Sequence, residues 1–217
     1  MPRRYRLGKR AELKDSTRGS IVDAAIALYT EQGISHTSMA QIAHRADVAP
    51  ATVLNHFATR EDLDRALVER AFAQMRAPDI SIFDGLTTLA ERVRALSRET
   101  GAFLDRSEPW YLMWRTDPMN SGVWAEAGAS YGRRWELLFR WTLGGLAENA
   151  EAMAVLQATM DPQFWNAFRQ GRTTRQVADL IADLITLRLE QLDALAKERA
   201  KGSRATPARA RSPRKAP

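Results

Sequence analysis

The stretch Thr37–Phe57, TSMAQIAHRADVAPATVLNHF, constrains this chain more than any other. Ser38 can cap a helix, and Gln41, three residues on, can reach back to the cap's own N–H in a reciprocal capping box. Met39, Ile42 and Ala43 then share one helical face. Ala46-Asp47 ends that helix, because Asp tolerates turn and left-handed backbone better than most residues. Pro50 suits the first position of a second helix, where its missing N–H costs nothing, and Val53 and Phe57 fall inward. A helix of about two turns does not overcome its nucleation cost alone. The spacing therefore predicts two short helices, joined by a tight turn and held from outside the stretch.

Helix, short turn and second helix make the helix-turn-helix, whose second helix lies in the DNA major groove while the first crosses the backbone. On that reading Thr52, Asn55 and His56 face outward from the second helix, with Pro50 and Ala51 at its start. Small hydroxyl, amide and imidazole groups suit base edges and phosphate oxygens. Thr37 and Ser38, at the start of the first helix, are placed to hold phosphates. An ordinary helical hairpin with solvated polar residues is the competing reading of this stretch taken alone.

The longer segment from Ile21 to Leu67 resembles the DNA-binding domain of the TetR family of transcriptional regulators over nearly its full length. The resemblance is carried by Ala24-Ala25, Leu28-Tyr29, Gly33, Thr37-Ser38, Ile42-Ala43, Ala46, Val48, Thr52, His56-Phe57 and Arg60-Glu61-Asp62-Leu63. It implies a dimeric, all-α regulator. Three N-terminal helices would bind operator DNA, and a C-terminal helical domain would bind a small molecule that releases it. It also implies a phosphate contact for Arg60. The chain departs from the pattern in three places. Leu54 stands where the family usually has Tyr, and Asp47 where Gly is usual. Ala49 replaces a capping Ser, a loss worth about 1 kcal/mol.

The net charge of +6 is unevenly spread over the 217 residues. Residues 1–18 carry +5 and residues 197–217 carry +7, so the remainder carries −6. Phosphate neutralisation by Lys and Arg supplies most nonspecific DNA affinity, yet residues 51–57 contain neither. The N-terminal arm is therefore the expected source of that attraction. No cysteine is present, which excludes disulfides and thiol chemistry and suits a reducing cytoplasm. No apolar run approaches the roughly 18 residues of a membrane span, and no signal-peptide core follows the basic start.

Taken in order, residues 1–15 read as a disordered basic arm, with the first helix starting between Asp15 and Ser20 and closed by Gly33. The DNA-binding domain spans 16–70, a helical ligand-binding and dimerisation domain 71–201, and a disordered basic tail 202–217. Thr59 caps a fourth helix running toward Pro78. One helix from Ile80 to near Arg106 and a separate short one opened by Pro109 are expected next. All six tryptophans lie beyond residue 109, and aromatic helix-lined pockets with a few polar groups are a usual form of small-molecule site. Trp110, Tyr111, Trp114, Arg115, Tyr131 and Trp135 are the candidate ligand residues.

The last helix opens with a Thr173–Gln176 capping box, and its apolar face is wider than one neighbour requires. Val177, Leu180, Ile181, Leu184, Ile185 and Arg188 are therefore expected at a homodimer interface, in the intersubunit four-helix bundle that the resemblance implies. No nucleophile–base arrangement, phosphate loop, cofactor motif or metal-ligand spacing emerges, which argues against an enzyme. The expected function is a cytoplasmic, dimeric repressor released from its operator by a small hydrophobic or aromatic molecule. The alternative is a helical dimeric interaction module without sequence-specific DNA binding.

Overall fold

The computed structural model of the chain describes residues 3–116 and 122–204. All regular structure among them is helical: α1 (Arg3–Gln32), α2 (Met39–Arg45), α3 (Pro50–His56), α4 (Arg60–Met75), α5 (Leu89–Thr116), α6 (Gly122–Leu143), α7 (Ala150–Ala158), α8 (Pro162–Asn166) and α9 (Thr174–Arg204). Short 3-10 turns at Ile80–Phe83 and Gly144–Leu146 complete the set. No helix among the described residues is long and apolar enough to cross a membrane.

The chain divides into two compact units, Met1–Asp79 with Ala102–Glu136, and Ile80–Gly101 with Leu137–Pro217. In the first, α1 packs on α2 and α4, and α2 packs on α3. Its core is the apolar stripe of α1 (Ile21, Ala25, Tyr29) set against Ile42 and Ala43 of α2, Val53 of α3, Phe57, and Leu63 and Leu67 of α4. The second unit is built around Val93 and Leu96 of α5, Leu138 and Leu143 of α6, Leu156 of α7, Trp165 of α8 and the inner stripe of α9. Trp165 donates its indole N–H to the Thr159 carbonyl at 2.7 Å. Gly101 lies so close to that ring that a Cβ there would sit 2.6 Å from Trp165 Cζ3 and 2.9 Å from Thr174 Cγ2.

Three boundaries differ from expectation, each for a local reason. Helix α1 begins at Arg3 rather than after Asp15, because the basic run is made mostly of good helix formers. Helix α5 starts only at Leu89, because the Glu91 carboxylate accepts the Thr88 backbone N–H at 2.9 Å and the Thr88 hydroxyl at 2.8 Å in an unforeseen capping box. It then runs through Pro109 to Thr116 without a break, with Trp110 buried one residue later. Proline removes one backbone bond there, and the packing of the indole outweighs it. The basic tail beyond Arg204 lies outside the described residues.

Candidate nucleic-acid interface and interior cavity

The helix pair forms as its caps dictate. The Gln41 N–H donates to Ser38 Oγ at 3.2 Å, and the Ser38 N–H donates to Gln41 Oε1 at 2.7 Å. Asp47 turns the chain at φ 54°. Pro50 occupies the first turn of α3, and the Ala49 cap offers it no side-chain acceptor. Val53 and Phe57 point inward and anchor α3. Pro50, Ala51, Leu54 and Asn55 are exposed, whereas Thr52 and His56 are half-buried at the edges of that face. Leu54, 53% exposed, is a large apolar group on a helix whose outer face carries neither Lys nor Arg. His56 Nδ1 is buried, with no hydrogen-bond partner among the described residues.

Two residues expected to hold phosphates are turned into the domain. Thr37 is buried, donating its hydroxyl to the Gly33 carbonyl at 2.8 Å and accepting from Gln32 Nε2 at 3.1 Å. Arg60 donates to the carbonyls of Thr37 (2.7 Å) and Ile34 (2.9 Å) and to Asp64 Oδ1 (3.2 Å), with its guanidinium 4.7 Å from the centre of the Tyr29 ring. Tyr29 donates its hydroxyl to the same Asp64 oxygen at 2.9 Å. Burial first, and then the Asp64 charge, push the Tyr29 hydroxyl pKa well above its usual value. Ser38 stays exposed. Arg45 on α2 pairs with Glu31, whereas Arg18 of α1 lies over the Phe57 ring, 4.8 Å from its centre. That contact brings the Arg18 cation beside the end of α3.

A cavity of about 180 Å³ lies between the end of α4 and α6, lined by Phe72, Met75, Ala77, Ser130, Tyr131 and Arg134. Of the expected ligand residues, Tyr131 lines it directly. Trp135 and Phe103 back the Tyr131 ring, with centroids 6.1 and 5.5 Å from it. Trp110 is buried and donates its indole N–H to Gln74 at 3.2 Å, and Tyr111 is half-buried; neither lines the cavity. The side chains of Trp114 and Arg115 lie outside the described ones. Phe72, Ser130 and Arg134 carried no distinguishing sequence signal. Burial pushes the Tyr131 hydroxyl pKa up, against the nearby Arg134 and Arg106 charges.

On α9 the expected interface residues separate. Val177, Ile181 and Ile185, expected at the dimer interface, are buried within their own chain. Leu180 is half-buried, and Leu184 is exposed, as is Leu187 one turn on. Arg188 donates to Glu151 at 3.0 Å. On α6, Leu137 and Trp141 are also exposed.

Residues 21–67 match the pattern of bacterial regulatory proteins of the tetR family. The HTH-type transcriptional regulator BetI of Rhizobium meliloti is 32% identical over 81 residues, 37% of this chain and 40% of that protein. The match thus spans less than half of that curated relative. The TetR family regulator PfmR from Thermus thermophilus superimposes with TM-score 0.56 at 19% identity, covering 76% of this chain and 92% of that one. FadR from Bacillus subtilis, solved in complex with stearoyl-CoA, gives 0.54 at 16%, covering 76% and 96%. These two likenesses establish the fold. With the match falling on the helix-turn-helix and the fold likeness extending through the C-terminal helices, residues 21–67 carry the sequence pattern of the tetR family within a fold that the chain shares with solved TetR-type regulators.

Proposed function

We propose that the chain is a homodimeric, ligand-responsive repressor that binds a near-palindromic operator. The observation that carries this reading is the outer face of α3, where Pro50, Ala51, Leu54 and Asn55 stand exposed while Val53 and Phe57 lock the helix from behind. Thr52 and His56 border the same face, and Ser38 supplies a hydroxyl at the start of α2. A DNA-binding domain over 16–70 and a ligand-binding and dimerisation domain over 71–201 divide the work. Because Arg60 and Arg45 are engaged within the protein, the basic arm supplies most of the phosphate attraction. The exposed leucines of α9, with Leu137 and Trp141 of α6, form the dimer contact. The effector is a small hydrophobic or aromatic molecule. A cavity of 180 Å³ has no room for a long acyl chain such as FadR holds.

Selection of bound duplexes from random DNA tests the proposal. It should return two related half-sites with centres about 34–36 Å apart, or a multiple of that spacing. Deleting residues 2–14 should flatten the salt dependence of binding by about 0.9 per lost phosphate contact on a log–log plot. Leu54 and the absence of cations on α3 favour one other reading, a dimeric interaction module without sequence-specific DNA binding. Recovery of no consensus would select it.

A further inference from the structure

The end of α4 is gripped by two arginines. Arg106 donates to the carbonyls of Met75 and Arg76, each at 3.2 Å, and Arg134 donates to the carbonyl of Pro78 at 3.0 Å. Arg76 itself holds a left-handed backbone at φ 44°, a conformation disfavoured for residues with a side chain. Among the described residues Arg134 has no carboxylate partner, and it forms part of the cavity wall. Besides Ser130, the rest of that wall is Phe72, Met75, Ala77 and Tyr131, whose side chains are largely hydrocarbon.

A guanidinium at the wall of a cavity lined mainly by Phe72, Met75, Ala77 and the Tyr131 ring selects a molecule with an apolar body and one anionic end. Its bond to a carboxylate is charge-assisted and about twice as strong as its bond to a neutral carbonyl. An entering carboxylate therefore outcompetes Pro78 for Arg134. The volume limits the body, since a cavity of about 150 Å³ holds one benzene ring.

We infer that the cavity between α4 and α6 takes a monocyclic aromatic carboxylate, whose anionic end draws Arg134 from the Pro78 carbonyl and so loosens the end of α4. This rests on the effector-responsive reading and names the effector's class. At its other end, α4 carries Arg60, which donates to the Ile34 and Thr37 carbonyls before α2.

The test is titration of the full-length protein with benzoate and phenylacetate, and with the neutral benzamide and phenylacetamide, by calorimetry. The carboxylates should bind at least tenfold more tightly than the amides, with a preference that shrinks as sodium chloride is raised. Arg134→Gln should abolish the preference while leaving amide binding within about twofold, and Arg134→Lys should keep part of it. Equal binding of acid and amide, an undiminished preference in Arg134→Gln, or binding of none of the four overturns the inference. The comparison on the unmodified protein needs no variant to fold. Operator selection without any acid present decides the parent reading separately: a consensus with no response to benzoate sinks only the ligand class, whereas acid-selective binding without a consensus sinks the regulator and leaves the site.

Discussion

Replacing Asp64 is the most direct way to test how the N-terminal unit is held together. This buried carboxylate accepts from Tyr29 at 2.9 Å and from Arg60 at 3.2 Å. Asp64→Ala leaves the fully buried Tyr29 hydroxyl without its acceptor, which costs about 1–3 kcal/mol. The ion pair adds less. The Arg60 side chain is 31% exposed and retains two carbonyl partners, so solvent screening reduces its loss to about 1 kcal/mol. The expected total is about 3 kcal/mol, or a fall of about 6–12 °C in melting temperature for a chain of this size. Asp64→Asn keeps an acceptor for Tyr29 and should lose only about 1 kcal/mol. Urea and thermal unfolding followed by circular dichroism would measure both. If the alanine variant stays within 0.5 kcal/mol of the parent, or the asparagine variant is as damaged as the alanine one, the cluster does not carry the energy assigned to it. A cycle with Tyr29→Phe should give a coupling of about 1 kcal/mol.

Four further outcomes follow from the geometry. Tyrosine in the unfolded chain ionises near pH 10, and the folded pKa of Tyr29 is raised above that. Its contribution is therefore fully present below pH 10 and is lost as the pH climbs beyond it, so urea midpoints should fall more steeply there in the parent than in Tyr29→Phe. Leu184→Glu with Leu187→Glu should give folded monomers by light scattering, since both side chains are half or more exposed; a persistent dimer would remove this face of α9 from the interface. Charging buried Ile185 should unfold the protein instead. Gly101→Ala should cost about 1–3 kcal/mol, because its new methyl meets Trp165 and Thr174 inside contact distance; a neutral result in thermal unfolding would mean that the ring shifts freely.

The N-terminal architecture was legible because its signals are local. Ser38 and Gln41, Asp47, Pro50 and Thr59 each act within three or four residues, and each does in space what the spacing predicts. What could not be read was the direction of groups whose partners lie far along the chain. Arg60 looks like a phosphate cation until the Ile34 and Thr37 carbonyls, more than twenty residues away in sequence, are brought against it. The same limit applies to α9. Periodicity marks one wide apolar face but cannot tell which part of it its own chain covers; Val177, Ile181 and Ile185 lie in the covered part. The tryptophans mark residues 110–115 in the sequence, whereas the cavity lies where α4 meets α6 and is lined by Phe72 and Arg134.

The fork of Arg60 spans three partners on two segments, the run leading into α2 and Asp64 one turn along α4. A lysine has one point of attachment to offer where this site uses a planar set of donors. The fork of Arg60 thus pins the start of α4 to the base of α2, at the opposite end of a rod of about 24 Å from Met75.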